Sequence, residues 1–420
     1  MMDIAELQGR ADVLESELGE LQSTQWIGAA YNTVTDTWVR LGSATGIASG
    51  SAPACGLPIL SPIFHPDRFC RVTLSDAGVE TGEISWMDKR YYKTGALVDR
   101  SGGDGQVMVR YLPGYYKTGV TGNWIWIALS HLPLPGFTLF PLFEGMGAVY
   151  HGAYEASEYN GKMCSVALDP ADGTSPYWPV TTRSGKCGHA GLTTQATDAL
   201  AAARGAGWQQ SDLLVKIWER YLQIVAFATF DVLAVCGAGR INLTGSNWIN
   251  DELIGRIGLG DAVPGYYSGT QAGGTAGYLT DYVQCLGIEN SWGNVWDRVA
   301  SLVSDGALYY KPQPPYDYST VTGWTRLLDA AGAGITLPLA NGYGGIPHNG
   351  IGIVLPKDVT GSSSTRMRDY YYYASGLRVL LEGGGSSSGA TAGPFYWFAA
   401  HSASATYSNI GGRLCFKKAA

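Results

Sequence analysis

Residues 376–416 combine aromatic rings with small hydroxyl side chains in a pattern suited to reversible recognition. Two apolar, strand-like segments, 377–381 and 410–416, bracket a long run of Gly, Ser, Ala, Thr and aromatic residues, and His401 is the only side chain between Glu382 and Arg413 that titrates near neutrality. A connection of this length without clear secondary structure is usually either functional or disordered. Phe395, Tyr396, Trp397, Phe398 and Tyr407 argue against disorder, because disordered segments are poor in aromatics. Rigid rings give contact area at low entropic cost, and hydroxyls and amides add adaptable hydrogen bonds. With no carboxylate, thiol or permanent cation in the run, the chemistry it offers is non-covalent binding.

The elements that must position this run belong to a chain of 420 residues. That length can bury a large core, and roughly 150 residues per domain implies two or three units. Only 15% of the residues are charged, while 58 are Gly, 26 Tyr and 13 Trp, the profile of a β- and loop-rich protein with a Tyr/Trp-heavy surface. A net charge of -7 and the lack of any Lys/Arg cluster exclude nucleic acid and anionic membrane as expected partners. The cysteines Cys55, Cys70, Cys164, Cys187, Cys236, Cys285 and Cys415 are scattered, odd in number and without a CxxC pair. They read as buried thiols of a protein assembled in a reducing cytoplasm. No signal peptide is expected at the N-terminus, and the longest apolar run, 221–235, is interrupted by Gln223, Thr229 and Asp231, so it reads as a buried helix and not as a membrane span.

Taken in order, the chain opens with Ile4, Leu7, Ala11, Leu14, Leu18 and Leu21, whose alternating spacings of three and four form an a/d seam. This predicts a short coiled coil over 1–24, trimeric, with a single amphipathic helix packed on its own domain as the alternative. A β-rich attachment or trimerisation segment follows over 25–105, beginning with a hairpin at 31–42 and a linker or extended wrap at 42–58; 71–86 and 106–111 are strand candidates. YYKTG occurs at 91–95 and at 115–119 and reads as two similar turns. Strands with proline-rich corners are expected over 107–150, then an Ala-rich helix at 193–204. A second helix is expected from its N-cap Ser211 to about 235, with Trp208 leading into it. Two helices within a β-dominated remainder, 106–420, imply an α+β fold.

Between the second helix and the C-terminal run stands GIENSWGNVWDRV, 287–299. Gly293-Asn294-Val295-Trp296 followed by Asp297 resembles the GNVWEW signature of the formylglycine-generating-enzyme branch of the C-type-lectin fold. Arg378-Val379-Leu380, Gly383-Gly384-Gly385-Ser386 and Asn409-Ile410-Gly411-Gly412-Arg413-Leu414 resemble, in order, that branch's RVLRGGSW and NxGFR motifs. Within the branch the chain is most similar to variable proteins diversified by retroelements, notably phage tail-tip receptor-binding proteins, whose C-termini look like NAGPFYW followed by NIGGRL; here AGPFYW spans 392–397 and NIGGRL 409–414. Gly385 stands where that family usually has Ser. The resemblance implies a C-type-lectin-like domain whose final loop and strands carry the ligand-binding positions Ser386, Ser387, Ser388, Thr391, Phe398, Ala400, His401, Ala403, Thr406, Tyr407 and Ser408. Read as structural residues, Trp292 and Trp296 are expected in the core beneath the loop, Asn294 bonded to backbone, and Arg413 paired internally because an Arg beside core positions needs partners.

Three classes of function remain open on these residues. A binder would be a homotrimer in the virion, at the tail tip or tail fibre, assembled in the host cytoplasm and joined to tail or baseplate proteins; it would recognise a host-cell surface protein or glycan without catalysis, metal or cofactor. The same surface would equally serve a prophage- or bacterium-encoded display protein. An enzyme would need either a copper-holding thiol pair, for which Cys285 and Cys415 are the nearest candidates, or two carboxylates across a cleft, such as Asp297, Asp305 and Asp317. Glu289 and Asn290 could form a lectin-like calcium pair, but the Glu-Pro-Asn and Trp-Asn-Asp patterns of such sites are missing.

Overall fold

Hairpin and helix-cap chemistry punctuates the chain. The structure is a computed structural model that describes residues 25–51, 62–65, 67–171, 173–174, 192–242, 257–265, 268–269, 281–329, 331–350, 353–407 and 409–420. The seam from Ile4 to Leu21, Cys55, Cys187 and Ser408 lie outside the described residues.

The first part of the chain forms β1 (Trp26–Asn32), β2 (Thr37–Gly42), β3 (Phe69–Leu74), β4 (Glu80–Glu83), β5 (Gln106–Tyr111), β6 (Tyr115–Thr121), β7 (Trp124–Ser130), β8 (Thr138–Leu139) and β9 (Met146–Gly152). A small hairpin follows, β10 (Ser157–Tyr159) with β11 (Lys162–Cys164). Next come helix α1 (Thr194–Ala202), β12 (Trp208–Gln210), helix α2 (Leu213–Phe227) and helix α3 (Val232–Cys236). The remainder is β: β13 (Ser268–Gly269), β14 (Val283–Cys285), β15 (Ile288–Glu289), β16 (Trp296–Ser304), β17 (Leu308–Tyr310), β18 (Thr325–Arg326), β19 (Gly342–Tyr343) and β20 (Tyr370–Tyr373). It closes with β21 (Arg378–Gly383), β22 (Gly393–His401), β23 (Ile410–Gly411) and β24 (Leu414–Ala419). The result is a β-rich α+β fold.

Three large sheets organise the described residues. The hairpin β1–β2, closed where Asn32 Oδ1 accepts the N–H groups of Val34 and Thr35, continues through β7 into a sheet of order β2-β1-β7-β6-β8. A second sheet runs β12-β24-β9-β5-β3-β4, so the last strand of the chain lies between β12 and β9. Strands from either side of residue 106 therefore share both sheets. The third sheet, β18-β17-β16-β21-β22-β20-β19, with β23 added beside β16, carries the C-terminal run.

Four local expectations change. The second YYKTG copy lies within β6 and pairs with β7, whereas the first is a turn between isolated bridges. Trp208 belongs to β12, which pairs with β24, so the chain is still extended there. Ser211 gives its N–H to Arg413, and the N-cap of α2 falls one residue later, on Asp212, whose side chain accepts from the Val215 N–H at 3.1 Å. The helix then stops short of residue 235: Ala228 turns left-handed at φ 48, and Asp231 caps the separate α3. The Ala-rich helix expected at 193–204 forms as α1, with Thr193 as its N-cap. The part of the 42–58 linker that is described is tied down, since the Arg40 guanidinium donates to Ala48 and Ser51 carbonyls and Gly50 N–H donates to Phe227.

Every residue of α2 is buried. The helix packs against β1 and β7 on one side and β16 on the other. No helix among the described residues is long and apolar enough to cross a membrane. Within α2, Lys216, Glu219, Arg220 and Gln223 follow the spacing that places side chains on one helical face, and that face meets charged residues from the third sheet. Lys216 lies 2.9 Å from Asp297 and 2.6 Å from Glu382. Arg220 lies 3.0 Å from Glu382 and 2.9 Å from Glu219. Arg413 donates to Asp297 at 2.8 Å and to the Asn290 carbonyl at 2.6 Å. Three buried cations thus face three buried carboxylates. Burial raises the Asp297 pKa, but Arg413 and Lys216 outweigh it and hold the carboxyl down to about 2.

Candidate functional site

The third sheet has two different faces because side chains alternate along a strand. Phe395, Trp397 and Ala399 of β22 and Tyr371 of β20 point into the main core. Their neighbours Tyr396, Phe398, Ala400, Tyr370 and Tyr372 point the other way, where they gather with Leu381, Ile410 and Trp296 into a separate cluster. Parallel pairing of β20 with β22 puts Tyr372 opposite Phe398, and antiparallel pairing of β21 puts Leu381 there as well.

The rings on this face form a continuous ladder. Tyr343 meets Tyr370 at 5.1 Å between ring centroids, Tyr370 meets Tyr372 at 4.7 Å, and Tyr372 meets Phe398 at 5.1 Å. Phe398 is 4.5 Å from His401, and His401 stacks on Tyr407 at 4.6 Å. Trp296 stacks on Phe398 at 4.8 Å and approaches His401 at 6.0 Å. Such pairs contribute roughly 0.5–1.5 kcal/mol each beyond the area they bury. Tyr407 is 40% exposed, and Trp296, Tyr343, Tyr370, Tyr372 and His401 are half-buried. Burial, with Arg298 and Arg378 nearby, pushes the His401 imidazole down to about 4, so the ladder is uncharged at neutral pH. A partly open, uncharged aromatic surface can stack on the apolar faces of a ligand.

The residues expected to bind ligand divide into three groups. Phe398, Ala400, His401 and Tyr407 come together in the ladder or directly beside it. Ser386, Ser387, Ser388 and Thr391 lie in the β21–β22 connection, which borders the ladder at Trp296: a Cβ on Gly385 would sit 3.5 Å from the indole nitrogen. In that connection Ser387 is exposed, Ser386 is buried with its N–H on the Asn294 carbonyl, and Ser388 and Thr391 are engaged within the turn itself. Ala403 packs instead on a neighbouring cluster of Val303, Tyr318, Trp324 and Val379, and Thr406 is exposed.

Several expected roles are revised by position. The long loop contains β22, a nine-residue central strand, because its aromatics alternate between the two faces. Phe398 is only 9% exposed and forms the floor of the ladder, with the half-buried rings above it as its contact surface. Trp292 is buried and donates its indole N–H to Ala238, but Trp296, expected beside it in the core, opens onto the ladder. The chain between them turns through left-handed conformations at Gly293 (φ 75) and Asn294 (φ 52). At Gly293 a Cβ would meet the Arg240 carbonyl at 2.7 Å. The Asn294 side chain donates to Glu155 at 2.6 Å, and its backbone N–H donates to the Arg240 carbonyl. Arg413 is fully buried in the charged cluster described above.

The alternative chemistries have these placements. Glu289 accepts the N–H groups of Gly258 and Gly260, and Asn290 donates to Glu155. Among the described residues, no group of three or more His, Cys, Asp and Glu side chains surrounds a common metal position. Asp297 is bound up with Lys216 and Arg413, while Asp305 and Asp317 are exposed and accept hydrogen bonds in their own turns. Cys415 is buried on β24, paired opposite His151.

Tyr343, Tyr370 and Tyr372 were not among the residues read from the sequence, although the run of four tyrosines at 370–373 was a visible signal. Exposure separates the site from its support. Ser387→Ala should change stability by less than about 0.5 kcal/mol, whereas Trp292→Ala should cost roughly 3–5 kcal/mol. Thermal or urea melts check this contrast, and similar losses at the two positions would make the β21–β22 turn part of the core.

No protein-family model matches the chain, and no curated protein matches it. Among solved structures the chain is weakly similar to one described as Major Tropism Determinant U1 Variant, with 11% sequence identity, a TM-score of 0.28, and coverage of 84% of this chain and 73% of that one.

Proposed function

We propose that this chain is a receptor-binding protein of a phage or phage-like particle, carried at the tail tip or tail fibre. In this reading 106–420 is a C-type-lectin-like domain that presents the aromatic ladder and the adjoining Ser386–Ser388 turn to a protein or glycan on the host surface. The observation that carries the reading is the ladder itself, an open row of uncharged rings from Tyr343 to Tyr407. It is supported by the motifs AGPFYW, which falls mostly on β22, and NIGGRL, which begins at β23 and leads into β24. The Ile4–Leu21 seam would join three copies and leave tail or baseplate proteins to hold them. Linking sites in this way strengthens overall binding by roughly a hundredfold or more over a single contact.

The purified chain should scatter light as a trimer and compete with intact particles for adsorption to host cells. Competition should persist in a chelator, because no metal takes part. It should also be constant between pH 5 and 8, because His401 becomes protonated only near pH 4. A monomer removes the multivalent part of the reading, and competition that is lost on chelation removes the uncharged aromatic site.

A further inference from the structure

Cys236 ends α3 and Cys285 ends β14, 49 residues apart in sequence, yet their sulfurs lie 3.5 Å from each other. Both are free thiols, and both are buried. Two sulfurs in van der Waals contact need to approach by only about 1.5 Å to reach covalent bonding distance. The chain that leaves Cys236 is also the seat of the candidate site. The Ala238 carbonyl accepts the Trp292 indole N–H, the Arg240 carbonyl accepts the Asn294 N–H, and the Ile241 carbonyl accepts the Gly389 N–H at 2.7 Å. Residues 238–241 thus hold the turn before Trp296 and the β21–β22 connection.

We propose that Cys236 and Cys285 are a cross-linking site that closes to a disulfide when the protein meets an oxidising environment, fixing residues 238–241 beneath the recognition surface. Two S–H bonds break and one S–S bond forms. The oxidant is a small-molecule disulfide such as oxidised glutathione, which takes up the two electrons and two protons and leaves as two thiols. The pairing is intramolecular and closes a loop of about fifty residues, and loops of this length give a large loss of unfolded-state entropy. A soft metal is a poorer fit, since no third acidic, histidine or cysteine ligand joins the two sulfurs among the described residues. The cross-link stands on the sulfur geometry alone; only its consequence for binding rests on the receptor-binding reading.

The test uses the full chain. Protein refolded with oxidised glutathione is denatured, its remaining thiols are alkylated, and its peptides are mapped by mass spectrometry. The expected result is a single linked pair joining the Cys236 and Cys285 peptides, with Cys70, Cys164 and Cys415 alkylated. The melting temperature should rise by roughly 4 °C and fall back on reduction, and Cys285→Ser should abolish that response. Complete alkylation of Cys236 and Cys285 after oxidation, pairing of either with another cysteine, or stoichiometric zinc or copper held by the two thiols would overturn the proposal. If the cross-link forms but adsorption of the oxidised and reduced trimers is identical, the link is established and its role at the site is refuted.

Discussion

Lys216→Ala should lower folding stability by about 3–5 kcal/mol, the usual result of removing one partner from a buried ion pair. The Lys216 ammonium stands between Asp297 and Glu382, and its side chain is 1% exposed. Its loss leaves two carboxylates side by side on the paired strands β16 and β21, with Arg220 and Arg413 as their remaining cations. Little water can reach them, so much of the desolvation cost is uncompensated. Urea unfolding reads the loss directly. The same network has an acid limb. Asp297 has a pKa held below its ordinary value of 3.8 in the folded state, so its contribution is complete above that value and disappears as the pH falls towards about 2. Lys216→Ala should weaken this acid limb, because one of the two cations that depress Asp297 is gone. A loss below about 1 kcal/mol would mean that the network does not hold α2 to the third sheet.

Much of the local structure was legible from the sequence. The Ala-rich run 193–204 gave α1, the alternating residues around Thr-Asp-Thr gave the β1–β2 hairpin, and the two apolar brackets gave β21 and the β23–β24 region. These are short-range effects, decided by caps, turns and alternation. What escaped depends on contacts between distant residues. Lys216, Glu219, Arg220 and Gln223 at helical spacing were a polar stripe inside a helix, and such a stripe ordinarily faces water; only the placement of α2 between two sheets turns it inward. Trp292 and Trp296 are four residues apart, and nothing in that spacing says that one fills the core and the other opens onto a surface. Left-handed turns at Gly293 and Asn294 make the difference. The ladder joins β16, β19, β20 and β22, and the parallel pairing of β20 with β22 is a non-local event with no turn chemistry to announce it. The sequence thus pointed to Phe398, His401 and Tyr407 while missing Tyr343, Tyr370 and Tyr372, which complete the same surface.

If binding runs through the uncharged ladder, as proposed, Tyr372→Ala combined with Tyr407→Ala should remove it. These rings flank the Phe398–His401 pair on opposite sides, and both reach solvent, so their removal should leave the buried floor in place. Aromatic anchors at interface centres commonly contribute 2 kcal/mol or more each, which for two anchors amounts to roughly a hundredfold or greater loss of affinity. Avidity in a trimer would magnify that loss. The measurement is adsorption of the purified double variant to host cells, beside a thermal melt that confirms folding. Adsorption should be at least a hundredfold weaker, with the melt close to that of the parent chain. Adsorption at the parental level by a folded double variant would contradict binding through the ladder and place the recognition surface elsewhere on the molecule.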